Sequence, residues 1–174
     1  MRSLGKGKQM KFHHRALLLV VFGLPLSPSA IAFAQTPSDP TGFAAAATVQ
    51  AQVEQMRKAM KPGQGFLWRP LVHGGDAVAA LEYWTKPAKP AVHPKQAEYV
   101  IVIAGSGTMV SGGRMMNPSA TNPDLIEGSR IVGGTSRKLH PGDVFLIPAG
   151  TPHWFGIDGG RLVLLGTKIP QTLK

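Results

Sequence analysis

The chain has 174 residues and no cysteine. Disulfides and thiolate metal sites are thereby excluded, and any metal must be held by imidazole nitrogens and carboxylate oxygens. Acids are scarce too: 9 Asp and Glu face 19 Lys and Arg. A carboxylate inside an apolar stretch is therefore a rare event that asks for a reason. No apolar run reaches the roughly 20 residues that span a bilayer. The longest, "ALLLVVFGLPL" at 16–26, is broken by Pro25 and then Ser27, Pro28 and Ser29. No internal repeat is visible.

What is present begins with a leader. "MRSLGKGKQMKFHHR" carries Arg2, Lys6, Lys8, Lys11 and Arg15 without an acid, the short apolar run follows, and Ala32 and Ala34 close it as small residues at alternate positions. That order predicts a signal peptide over 1–34, cleaved after Ala34, and a periplasmic or secreted product with no membrane attachment after cleavage. The alternative, a retained anchor, conflicts with the broken run. There is no Arg-Arg pair for folded export and no Cys for lipid attachment. Without the leader, 14 basic residues face 9 acids, +5 in all. They are scattered, with pairs only at 57–58 and 137–138, so the clustered stripe of a nucleic-acid surface is missing and no nucleic-acid partner is expected.

The remaining 140 residues suit one domain with a real core. Residues 35–64 read as a Pro-rich lead, "QTPSDPTG", and one amphipathic helix. Val49, Val53, Met56 and Met60 recur at helical spacing there, and Pro62–Gly63 ends it. From 65 to 174 the texture turns to short apolar runs between Gly and Pro. "FLWRPLVH", "AVAALEYWT", "EYVIVIAG", "GTMVSG", "SRIVGG", "DVFLIPAG", "HWFGI" and "RLVLLGT" read as strands of four to eight residues. Many short strands without a second helix indicate an all-β barrel or sandwich. "RMMNPSATNPDLIEG", 114–128, shows no period and two Asn-Pro steps, so it reads as a loop. Its Met115–Met116 pair hints at a soft-metal site, but adjacent Met without a repeat are more often packing residues.

Two segments carry candidate chemistry. In "AVHPKQAEYVIVIAGSG", 91–107, Glu98 shares a strand face with Val100 and Val102. Either it is a solvated strand entrance or it is compensated by a partner or cation. In "HPGDVFLIPAGTPHWFGI", 140–157, a tight reversal delivers His153 onto a strand beside Phe155. His73 and His140 stand at strand ends, away from either arrangement.

Together the two segments resemble the paired signatures of the cupin superfamily, small jelly-roll β-barrels. The first pattern is Gly, then His-x-His, three or four residues, Glu, six residues, Gly. Here His93, Glu98 and Gly105 keep that spacing, while Ala91 stands where the first His belongs. The second is Gly, five residues, Pro-x-Gly, two residues, His, three residues, Asn. Gly142, Pro148, Gly150 and His153 match, and Ile157 replaces the Asn. The resemblance implies a cupin-type jelly-roll barrel after the N-terminal helix, with a metal held by His93, Glu98 and His153. Two His and one carboxylate with open positions suit one divalent transition ion, Fe, Mn, Ni or Zn. It implies a homodimer as well.

Two functions follow. One is a metal-dependent enzyme on a small molecule, of dioxygenase, isomerase or lyase type, since fold does not fix reaction. The other is a non-catalytic barrel binding a sugar or other metabolite with a weak or absent metal, which Ala91 and Ile157 favour. Phe155 and Tyr83 are the candidate ligand-contacting residues in either case.

Overall fold

The computed structural model describes residues 39–171; the leader, with Ala32 and Ala34, lies outside the described residues. The described elements are one helix, α1 (Ala46–Ala59), and eleven strands: β1 (Phe66–Gly74), β2 (Ala77–Trp84), β3 (Ala91–Val92), β4 (Gln96–Ser111), β5 (Arg114–Met116), β6 (Ser119–Asn122), β7 (Leu125–Glu127), β8 (Arg130–Val132), β9 (Thr135–Leu139), β10 (Val144–Ile147) and β11 (His153–Pro170). The described helix is not long and apolar enough to cross a membrane.

The architecture is the all-β jelly-roll expected. β4 and β11 form its spine, antiparallel from His153↔Ser111 to Pro170↔Gln96. β11 also pairs with β2, which pairs with β1, while β4 pairs with β9 and β10. At the other end β11 meets β3, which leads through β7 to β6; β5 and β8 make a separate ribbon.

The two spine strands join runs that the sequence presents as separate. "EYVIVIAG" and "GTMVSG" are one strand of 16 residues, and "HWFGI" and "RLVLLGT" one of 18. The glycines between them bend the strands without ending them. Gly105 sits at φ 76, and a β-carbon there would collide with the Arg161 carbonyl, so the strand crosses its register shift only with glycine.

Alternation along the strands makes two cores. Outward-facing Leu81, Tyr83 and Val163 meet Val53 and Met56 of α1, with Val49 and Met60 packed alongside. The stripe read from the sequence is therefore the packing face of α1. Ala45 at its N-cap offers no side-chain acceptor, so tertiary burial rather than capping holds it. Burying Met56 completely contributes about 1.5–3 kcal/mol. Inward-facing Val100, Val102, Met109, Leu139, Ile147, Phe155, Leu162 and Leu164 fill the lower barrel.

The segment 114–128 corrects the loop expected there. It holds β5, β6 and β7; Asn117–Pro118 lies in the turn between β5 and β6, and Asn122 closes β6 with Pro123 in the turn that follows. Short polar strands lack an apolar period, yet β7 hydrogen-bonds to β3 and so becomes part of the barrel wall. Met115 is buried in this region as a packing residue. β9, "TSRKL", shows no pattern for the same reason, since only Leu139 of its five residues is buried.

Candidate metal centre

His93 lies in the turn between β3 and β4, Glu98 near the start of β4, and His153 at the first position of β11. The two motif segments are tied directly: the Gly150 N–H donates to the His93 carbonyl at 2.9 Å, from a turn in which Gly150 takes φ 75. Three residues later the chain enters β11 with His153 opposite Ala91. The Glu98 carboxylate and the two imidazoles thus offer donor atoms within 4.8 Å of one another.

The geometry converges on one oxygen. His153 Nε2 lies 3.3 Å and His93 Nε2 3.8 Å from Glu98 Oε2. Two ligands each about 2.1 Å from one tetrahedral ion would be about 3.4 Å apart. The observed spacings bracket that distance. Each imidazole is also set in one tautomer, because His93 Nδ1–H donates to the Asp124 carbonyl and His153 Nδ1–H to the Thr151 carbonyl, both at 3.0 Å. Both Nε2 atoms are left facing the carboxylate. Their common focus suits a positive charge, whether a proton, an ammonium or a metal ion.

Glu98 is 4% exposed, and its Oε2 receives no aligned hydrogen bond. Lys168 Nζ comes within 2.9 Å of the same atom, an ion pair whose direction does not suit a hydrogen bond. Burial alone would push the Glu98 carboxyl up; His153 and Lys168 outweigh it and hold it down at about 2. His93 is pushed down by burial and by the Lys168 charge, against the pull of the Asp124 carbonyl and Glu98. A buried anion and a neutral imidazole are the ligand forms a divalent ion requires. The residues present fit such an ion.

These side chains line a cavity of ≈ 460 Å³ whose other walls include Phe66, Trp68, Trp84, Trp154 and Phe155. Leu125 and Glu127 of β7 reach it too, so 114–128 contributes a wall of the cavity. A larger recess of ≈ 580 Å³ between Trp154 and Pro87–Pro90 presents Lys89 and Arg130 but no imidazole or carboxylate. The donor chemistry is in the smaller one.

Phe155 lines the cavity as expected, its ring centroid 5.8 Å from that of His153. Tyr83 does not. It is buried in the outer core against α1, because alternation along β2 turns Tyr83 outward and Glu82 and Trp84 inward. Glu82 is the residue the sequence reading missed. Its carboxylate accepts a hydrogen bond from Trp84 Nε1 at 3.0 Å, and burial, then the charge of Glu98, push it up to about 7. Lys168 was missed as well. His73 and His140 are exposed and stand outside the group; His140 instead lies 3.8 Å from Asp143.

Residues 83–165 match the family model described as Cupin. No curated protein matches the chain. Among solved structures, hydroquinone 1,2-dioxygenase PnpCD in complex with Cd2+ and 4-hydroxybenzonitrile is similar over 70% of this chain and 72% of that one, at 18% identity and TM-score 0.50. KdgF from Halomonas sp. is similar over 65% and 87%, at 18% identity and TM-score 0.44. FeII HppE is similar over 60% and 50%, at 16% identity and TM-score 0.45. At such identities the likeness is one of fold.

Proposed function

We propose that this chain, which belongs to the cupin superfamily, binds a divalent transition metal through His93, Glu98 and His153 and acts as an exported metal-dependent enzyme on a small molecule. The observation that carries the reading is the buried Glu98 Oε2, without an aligned donor, at the focus of two imidazoles whose outer nitrogens are already committed to backbone carbonyls. A bound metal would supply Lewis acidity, or activation of water or O₂, at its open positions.

The chain's own residues define the rest. Phe155 and Trp84 wall the cavity against water, and Phe66 and Trp68 stand half-exposed beside them, at 39% and 48%. Glu82, held by the Trp84 indole, offers a carboxyl to a substrate hydroxyl or amine. Reactions of dioxygenase, isomerase or lyase type all fit this set. Export rests on the leader sequence. The homodimer rests on family resemblance, supported by Val144, Leu146 and Tyr99, which are exposed side by side on β10 and β4; sedimentation of the exported protein reads it directly.

A non-catalytic metabolite-binding barrel is the second reading. Ala91, directly opposite His153, favours it by leaving one imidazole fewer than the signature has. Elemental analysis separates the two. Untagged protein exported from the full chain, purified without added metal, should carry close to one equivalent of Fe, Mn, Ni or Zn. Glu98→Gln should lose it, with affinity lower by about 100-fold or more. A folded wild type that takes up none of these ions on incubation would sink the metal-dependent reading and leave the second.

A further inference from the structure

Lys168 does not belong to the signature, yet its ammonium is the charge nearest the focus of the site. Its Nζ is 2.9 Å from Glu98 Oε2, closer than either imidazole nitrogen at 3.3 and 3.8 Å. The register explains how it arrives there. Lys168 pairs with Glu98 across β11 and β4, and alternation along β11 puts it on the inward face with Leu164 and Gly166. Its stem reaches in from the rim, with the side chain 35% exposed.

An ammonium and a metal ion cannot share one carboxylate oxygen in this space. Their mutual repulsion at such short range, in a partly buried site, disfavours both standing there together. For a metal to enter, the ammonium must move, either outward to solvent at the rim or across to another anion in the cavity. The cavity supplies one. Glu82 faces inward on β2, opposite Leu164 of β11 and two inward positions from Lys168. The position between them is Gly166, which has no side chain to separate them. A β-carbon at Gly166 would lie 3.9 Å from Glu82 Oε1, so this carboxylate leans over the glycine.

We propose that Lys168 is a built-in competitor for the metal: it neutralises Glu98 while the site is metal-free, and swings across Gly166 to Glu82 when a divalent ion takes its place. Loading is then an exchange of cations on Glu98, with the displaced ammonium passing to Glu82. The exchange lowers metal affinity and keeps the empty site folded. It also puts an ammonium–carboxylate pair beside the loaded metal, on the wall that a substrate must touch. This inference rests on His93, Glu98 and His153 being the ligands.

The test is calorimetric titration of chelator-treated protein with Zn2+ alone, with thermal melts confirming that each variant is folded. Lys168→Met, nearly the same in length, should bind Zn2+ at least about tenfold more tightly than wild type. Lys168→Arg, which keeps the charge, should bind no more tightly than wild type and guards against a packing effect. Glu82→Gln should weaken binding several-fold, and by less when Lys168 is already Met. Unchanged or weaker Zn2+ binding by Lys168→Met, with wild type binding normally, would overturn the competition and leave the ligand assignment standing. An equal effect of Glu82→Gln in both backgrounds would overturn the swing to Glu82. Absence of binding in wild type and Lys168→Met alike would overturn the ligand assignment itself.

Discussion

The sheet formed by β2, β11 and β4 has two faces made from the same strands, and they could hardly differ more. Its outer face under α1 is built of Leu81, Tyr83, Val163, Ile103 and Leu165, with Val53 and Met56 closing over them. Its inner face interleaves Leu164, Val100 and Val102 with Glu82, Glu98, Lys168 and His153. The outer face gains stability from simple burial. The inner face places two carboxylates, an ammonium and an imidazole in a barrel, where desolvation costs several kcal/mol per ion. One residue of offset along a strand separates the two. A chain selected only to fold has no need of the inner set, and this contrast, more than any single distance, marks the cavity as the working part.

The comparison breaks most visibly if the outer face is damaged. Leu81 is fully buried there, and Leu81→Ala should cost about 3 kcal/mol through lost burial and a residual cavity. Urea unfolding measures it. Zn2+ affinity of the folded variant should stay at the wild-type value; a large loss of affinity would mean that the two faces are not independent.

A smaller effect on the inner face depends on pH. Burial, then the charge of Glu98, pushes the Glu82 carboxyl up to about 7 from an ordinary value of 4.5. Its folded-state pKa is raised, so the folded protein holds this proton more tightly than the unfolded chain. The associated stability is complete below pH 4.5 and is lost as pH rises through about 7. Glu98 has the opposite sign: its pKa is lowered to about 2, so its contribution is lost as pH falls from 4.5 toward 2. His93 is lowered too, and what it contributes is lost as pH falls below 6.5. Because His93 and Glu82 oppose each other near neutrality, the difference between wild type and Glu82→Gln isolates the carboxyl. The variant should gain roughly 1–2 kcal/mol over wild type between pH 4.5 and 8, screened by water in the cavity. Parallel stability curves for the two chelated proteins would remove the strain assigned to Glu82.

How far the sequence discloses these faces depends on the signal each residue leaves. The helix stripe and the apolar strands are legible because burial on one side writes a period into the chain. His93, Glu98 and His153 are legible through spacing, since a turn of fixed length must deliver each to the same end of the barrel. The wall strands β6, β7 and β9 are not, because their partners rather than their own side chains make them strands. Glu82 leaves the same signal as Glu98, one carboxylate within an apolar strand, but alternation alone does not say which face is inward. Choosing the wrong parity selects Tyr83 in its place. Lys168 is harder still: a lysine near a strand end ordinarily marks solvent, and only the register against Glu98 shows it turned inward.

The parity argument yields the smallest effect expected, and it is informative because it is small. Tyr83 is 3% exposed and packs with Leu81 and Met56, so Tyr83→Phe keeps its ring and its packing and removes only the hydroxyl. Tyr83 belongs to the core under α1 and not to the cavity lining, and the change in stability should stay within about 0.5 kcal/mol. Zn2+ affinity should be unchanged, as should any substrate turnover found later. Trp84→Phe, one residue along, removes the indole N–H that holds Glu82 at 3.0 Å. It should alter Zn2+ affinity measurably, by about twofold to fivefold, if Glu82 serves as the second anion. Equal Zn2+ responses at 83 and 84 would contradict the division of β2 into a structural and a working side.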